Sequence, residues 1–287
     1  MSLLKKIRFS PAIFGISSLV ITAGGIFNST ISQYDFLTKI LLFIYGVILL
    51  AWILCREYYF SRKVKFAEAN IVMGESLMHL KLASNAIESK NKDLAKQNLT
   101  LCLEKFSKAF AIVTGVNCRT CIKSVNCDDD EKEINKKYRT KTFIRHSCLQ
   151  QHDSVSVPVA ENTDFCLLTT DRHRQFWLSN DISKEHNYRN SSLDMLKTEE
   201  DWQRYFKGKE YKYISTIVWP ISNNFLTESN KREDSFIGFL CVDSKKKNIF
   251  NCEFDVYLGV CLSEALFPVL IAYSKAFIKA GSYEKKK

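Results

Sequence analysis

Glycine and proline are scarce, with 10 and 4 copies among 287 residues. This excludes collagen-like, elastic and linker-rich chains. The few glycines are scattered, and none builds a loop able to cradle phosphate. His79, His146, His152, His173 and His186 form no HExxH and no pairing with a nucleophile. Cys118 and Cys121 make a CxxC, but there is no second one. His146, Cys148 or His152 could complete a zinc set only if both sulfurs faced the same way. Residues three apart on a strand point to opposite faces, so neither zinc nor redox chemistry is expected there. Residues 128–130, three aspartates, read as a solvated turn. With no acid–base pair and no activated nucleophile, we expect neither an enzyme nor a bound cofactor.

The apolar content is concentrated at one end. Residues 11–27 (PAIFGISSLVITAGGIF) carry no charge over 17 positions, and residues 36–55 carry only Lys39 over 20. At about 1.5 Å per helical residue, both runs roughly match a ~30 Å hydrocarbon layer. A signal peptide with a basic n-region (Lys5, Lys6, Arg8) and a buried hairpin of a soluble core are the competing readings. The second run following so closely, with no small-x-small cleavage pattern, favours a two-helix transmembrane hairpin over 11–55. Basic residues flank it on both outer sides: Lys5, Lys6 and Arg8 before, Arg56, Arg62, Lys63 and Lys65 after. The connection 28–35 has neither Lys nor Arg. The positive-inside rule then puts both termini in the cytoplasm, in a bacterial inner membrane, with Lys39 snorkelling to the outer face. Gly15, Ser18, Thr22 and Gly25 form a small, polar stripe along the first run, suited to close helix packing within the hairpin or between protomers of a homo-oligomer. This topology leaves Cys55 at the membrane border and the nine cysteines from Cys102 to Cys261 in the cytosol as reduced thiols.

Between 63 and 113 there is no proline and only one glycine. Phe66, Met73, Leu80, Ile87, Leu94 and Leu101 recur every seven residues. This predicts a helix, or two helices broken near 89–92, with one apolar seam. The companion positions Asn70, Leu77, Ser84, Asn91 and Asn98 are poor for a strict two-stranded coil, which leaves both a dimerising stalk and a helix packed on its own domain open. Beyond Gly115 the pattern turns to short β-rich runs: 116–125, 138–146, 165–169, 213–220 (YISTIVWP) and 236–242 (FIGFLCV). An apolar helix over 254–277 and a lysine tail follow. The expected organisation is a basic N-terminus (1–10), the hairpin (11–27 and 36–55), a juxtamembrane and connecting helix (56–113), an α+β domain of antiparallel sheet with flanking helices (114–280) and a basic tail (281–287).

The segments 118–125 (CRTCIKSV), 138–145, 161–165 (ENTDF), 179–182 (SNDI), 213–221 (YISTIVWPI) and 237–244 (IGFLCVDS) follow in an order that resembles a GAF domain, over about residues 64–278. GAF domains bind ligands or partners. The resemblance implies a pocket between the sheet and 162–181, lined by Phe165, Trp177, Asn180, Asp181, Tyr213, Ser215, Trp219 and Asp243, with simple burial of the aromatics and turn-capping by the polar residues as the plainer reading. No output kinase or cyclase is expected, since no chain follows Lys287.

The net charge is +10, densest at Lys245, Lys246 and Lys247 and at Lys285, Lys286 and Lys287. Anionic inner-membrane lipids are the simplest partner for such a surface, and a nucleic acid or nucleoprotein is the other. A hairpin, a cytoplasmic domain and no catalytic site resemble the layout of two-transmembrane effectors of bacterial antiviral defence, of the retron or cyclic-nucleotide type. That layout implies a membrane-disrupting toxin regulated by a reverse transcriptase–nucleic acid complex or a cyclic nucleotide. A membrane-tethered small-ligand sensor without toxicity is the alternative.

Overall fold

The computed structural model describes residues 36–127, 138–146, 156–171, 174–185, 188–189, 213–222 and 236–278. The run 11–27, with Gly15, Ser18, Thr22 and Gly25, lies outside them, as do 128–130 and the lysine tail. The chain divides into two compact units, Met1–Arg62 and Lys63–Lys287.

The described part of the first unit is the beginning of helix α1 (Phe36–Glu88). Phe43, Ile48, Trp52 and Leu54 are each more than half exposed there. Among the described residues, two helices are long and apolar enough to cross a membrane, α1 and α4 (Asp255–Tyr273). They differ in surroundings. None of the most apolar stretch of α1 is buried, whereas half of that of α4 is.

The second unit is an α+β domain. After α1 come α2 (Lys92–Thr114), β1 (Arg119–Cys127), β2 (Tyr138–Arg145), β3 (Val157–Pro158), α3 (Thr163–Thr170), β4 (Trp177–Ser179), β5 (Ser215–Ser222), β6 (Phe236–Ser244) and α4. The six strands form one sheet in the order β3-β2-β1-β6-β5-β4, with every pairing antiparallel. The helical break expected near 89–92 is present. α1 ends at Glu88, Lys90 takes a positive φ of 56°, and the Asn91 side chain caps α2 by accepting from the Leu94 amide at 3.1 Å. The break resets the helical phase. Phe66, Met73, Leu80 and Ile87 pack into the core, but Leu94 is exposed, and α2 buries Ala95, Leu99, Leu103 and Phe106 instead.

The run 165–169 is a correction: it belongs to helix α3, not to a strand. A short apolar run fits either period, and the burial of Asp164, Phe165 and Leu168, spaced one and four apart, is helical. The other strand expectations hold to within a few residues.

β5 is covered along its whole length. Its odd-numbered residues Ile217, Trp219 and Ile221 join Leu240 and Val242 of β6 and the helices α1, α2 and α4 in the main core. Trp219 is the central piece. Its indole Nε1 donates to the Val256 carbonyl at 2.9 Å, and its ring meets Phe106 and Phe110 with centroids 6.2 and 6.0 Å away. Gly259 of α4 lies directly over that ring, where a Cβ would collide with Cε2 and Cζ2. Side-chain hydroxyls tie the layers together: Ser76 to the Cys102 carbonyl (2.8 Å), Ser107 to Cys118 (2.6 Å) and Thr120 to Leu103 (2.9 Å).

This packing makes Gly259→Ala an overpacking change against a fully buried, hydrogen-bonded ring. The expected cost is about 1–3 kcal/mol. A melt followed by tryptophan fluorescence should show the loss as a Tm lowered by several degrees, whereas Ala265→Gly, at a half-buried position of the same helix, should cost only about 1 kcal/mol.

Candidate functional site

Strand alternation builds a second face on the sheet, opposite the main core. Cross-strand partners there line up in three rows. The first runs Arg119, Asp243, Thr216, Ser179. The second runs Cys121, Cys241, Val218, Trp177. The third runs Lys123, Phe239, Pro220. Helix α3 covers them, and Phe165 stacks on Phe239 with ring centroids 4.2 Å apart. Cys121, Phe165, Leu168, Trp177, Tyr188, Val218, Phe239 and Cys241 form this second core.

Ionisable groups are unusually dense here. Asp164 and Asp243 are both buried. Asp243 accepts from the Thr216 hydroxyl at 2.7 Å. Asp164 accepts from the Phe165 amide at 2.9 Å. Burial nevertheless dominates its titration and raises the carboxyl from the ordinary 3.8 to about 7. The Lys123 ammonium lies 5.6 Å from the centre of the Phe165 ring, and the Arg119 guanidinium 6.0 Å from that of Tyr213. The Tyr213 and Tyr188 hydroxyls are 3.2 Å apart, and burial pushes the Tyr213 phenol well above its usual range. Cys121 and Cys241 are directly paired across the two strands and hydrogen-bonded to one another. That bond, with burial, holds the Cys241 thiol well above the ordinary range.

The eight residues singled out from the sequence fall into three groups. Phe165, Trp177, Tyr213 and Asp243 come together on this face. Asn180, Asp181 and Ser215 sit beside it and staple the chain after β6. Asn180 receives the Phe250 amide (2.9 Å) and donates to the Phe250 carbonyl (2.7 Å). Ser215 donates to the Asn180 and Lys246 carbonyls, each at 2.7 Å. Asp181 pairs with Lys247 at 3.0 Å and accepts from the Ser183 hydroxyl. Those short bonds hold its carboxyl below the usual range despite the opposing effect of burial, the largest single influence on it. Trp219 lies on the opposite face and takes no part. Arg119, Lys123, Asp164, Thr216 and the Cys121–Cys241 pair were not anticipated. The signal was available: Arg119, Cys121 and Lys123 alternate along β1, as do Phe239, Cys241 and Asp243 along β6. Cys118 lies in the main core and Cys121 in the second, so the CxxC sulfurs face apart. No group of three metal-ligating side chains occurs among the described residues.

No family model matches this chain, and no curated protein matches it. Solved structures do resemble it. The GAF domain of the phosphoenolpyruvate-protein phosphotransferase from Acinetobacter is 16% identical over 70% of this chain and 96% of that one, with a TM-score of 0.38. The type II free methionine-R-sulfoxide reductase from Thermoplasma acidophilum is 12% identical over 65% and 96%, with a TM-score of 0.39. The bacteriophytochrome RpBphP3 from R. palustris is 11% identical over 74% and 41%, with a TM-score of 0.37.

The neutral Asp164 has a measurable consequence. Between about pH 4 and 7 the unfolded chain gives up this proton while the folded chain keeps it, so the folded state binds more protons. Its contribution to stability is therefore full below pH 4 and is lost as the pH rises towards 7. Asp164→Asn should remove this downward slope and make the variant more stable than the parent at pH 7.5, while leaving the two nearly equal at pH 4. Urea midpoints across that range test it, and parallel profiles would refute a buried, protonated Asp164.

Proposed function

We propose that this chain is a membrane-anchored, non-enzymatic effector of bacterial antiviral defence. In this reading the cytoplasmic GAF-like domain senses a trigger or partner, and the N-terminal hairpin delivers the response by disrupting the inner membrane. The observation that carries it is the make-up of α1. This one helix starts as an exposed apolar run of membrane length and ends as a core element of the sensor-like domain. At the transition lies a band of aromatic and basic side chains suited to lipid headgroups. The Arg56 guanidinium sits 5.7 Å from the Trp52 ring centre and that of Arg62 5.4 Å from Tyr58, with Tyr59 and Phe60 exposed alongside. A trigger acting on the α3-covered face would bias the domain between two states, and a switch from 1:99 to 99:1 needs about 5.5 kcal/mol of differential affinity. A reverse transcriptase–nucleic acid complex or a cyclic nucleotide is the class of regulator that the two-span layout suggests, and the ionisable second face provides donors, acceptors and aromatic surface for a polar ligand.

The test is expression of the full chain in a bacterium with a potential-sensitive dye. The expected result is depolarisation and growth arrest, with the protein retained in carbonate-washed membranes and a tag at Lys287 reporting from the cytoplasm. Full potential and normal growth with the inserted, folded protein, with and without the trigger, would leave only the tethered-sensor reading. Release by carbonate would remove both.

A further inference from the structure

Helix α1 has a second apolar face that its own domain does not use. Let Val64, Ile71 and Met78 be position a of a seven-residue frame. Ala69, Val72, Met73, Leu80, Ala83 and Ile87, all buried against the domain, then occupy b, c and f. The exposed large apolar residues from Phe60 to Glu88 are Phe60, Val64, Ile71, Leu77, Met78 and Leu82, and each falls on a, d, e or g. The remaining d positions, Ala67 and Gly74, are exposed and small, and a Cβ at Gly74 would meet nothing within 4 Å. The seam stops at Lys81 and Asn85, the next d and a positions. Exposure of Ile71 reaches 69%, more than any other large apolar residue among the described residues of the second unit. Scattered exposed apolar residues are ordinary, but a set confined to one coiled-coil face is not.

We infer that this face pairs with the same face of a second copy of the chain, as a parallel two-stranded coiled coil centred on Ile71. The flanking residues identify the occupant. Across a parallel pair, position g of one helix meets the e position five residues further along its partner. Lys63 (g) then meets Glu68 (e), and Leu77 (g) meets Leu82 (e), each contact occurring twice by two-fold symmetry. Between them Asn70 (g) meets Glu75 (e), whose carboxylate is held by Lys105 of its own chain at 2.6 Å. One register thus matches charge with charge and apolar with apolar. An antiparallel pair would set e against e and g against g, and so lose the Lys63–Glu68 contact. β-Branched Val64 and Ile71 at a also suit two strands, while small residues at d let the helices approach closely. The inference rests on α1 alone and stands whether or not the chain harms the membrane.

The test is the mass of the full-length protein in a mild detergent at low salt, by light scattering across a dilution series. The parent should be a dimer. Ile71→Asp with Met78→Asp should be monomeric at micromolar concentration. Lys63→Glu should weaken the dimer several-fold, and Lys63→Glu with Glu68→Lys should restore it, because the swapped charges meet again across the pair. Far-ultraviolet circular dichroism and melting identify a variant that fails to fold, in which case the swap at the two surface positions decides. A monomeric parent, or Lys63→Glu and the double swap both indistinguishable from the parent, would overturn the inference.

Discussion

The seating of Trp219 beneath Gly259 is the constraint on which the rest of the domain depends. The indole fills the space between β5 and α4, and its hydrogen bond to Val256 fixes the helix against the sheet. A helix laid this close on a strand that is buried along its full length must be apolar over most of its circumference. That is why α4 passes a membrane-length hydropathy test while serving as a core element. The aromatic neighbours Phe106 and Phe110 carry the contact on to α2, and α2 carries it to α1 through Ser76 and Cys102. Each layer is therefore positioned by the one beneath it, starting from a single buried ring.

Much of this order was legible in the sequence. The periods of 66–87, 213–220 and 236–242 gave the right element types, and the helical break was marked by Ser89, Lys90 and Asn91. What hydropathy did not distinguish was the partner of each apolar face. Residues 165–169 are too short an apolar run to separate strand from helix, and the burial of Asp164, Phe165 and Leu168 along one side of α3 decided it. Leu94 fits a seven-residue count but falls after the break, where the count starts again. Trp219 looked like a pocket residue because of its type, yet parity along β5 puts it with Ile217 and Ile221. The same parity, applied to β1 and β6, would have revealed the ionisable face. Neither Asp164 nor the Cys121–Cys241 pair stands out until the strands are placed side by side.

Helix α1 illustrates how one sequence satisfies several surroundings in turn. From Ile40 to Leu54 its sequence is apolar all round, so no face can be singled out there. From Phe60 onward the pattern resolves into a domain-facing side and an outward side, with charge between them. The weak companion positions noted in the sequence, Asn70 and Ser84, flank the seam that the domain buries. They count against a coiled coil built on that seam, which the domain itself buries. Had the b, c and f residues been polar, the domain would lose its first helical layer. Had the a and d residues been polar, the domain would fold as well and the outward side would need no explanation.

The second face of the sheet presents the opposite problem, because it is buried and yet rich in charge. Enclosing two carboxylates is costly unless each is neutralised or hydrogen-bonded. Burial raises the Asp164 carboxyl to about 7, which favours its neutral form at mildly acidic pH, and Asp243 accepts from a threonine hydroxyl. An apolar residue at either position would fill the same volume without that cost, as Ile217, Trp219 and Ile221 do on the other side of the same sheet. That cost falls beneath α3, whose buried residues Phe165 and Leu168 belong to the second core. Perturbed ionisable groups gathered under a short helix are an arrangement in which binding of a polar ligand can change a protonation state and a packing state together. An all-aliphatic interface could shift its packing but would have no charge for such a ligand to read.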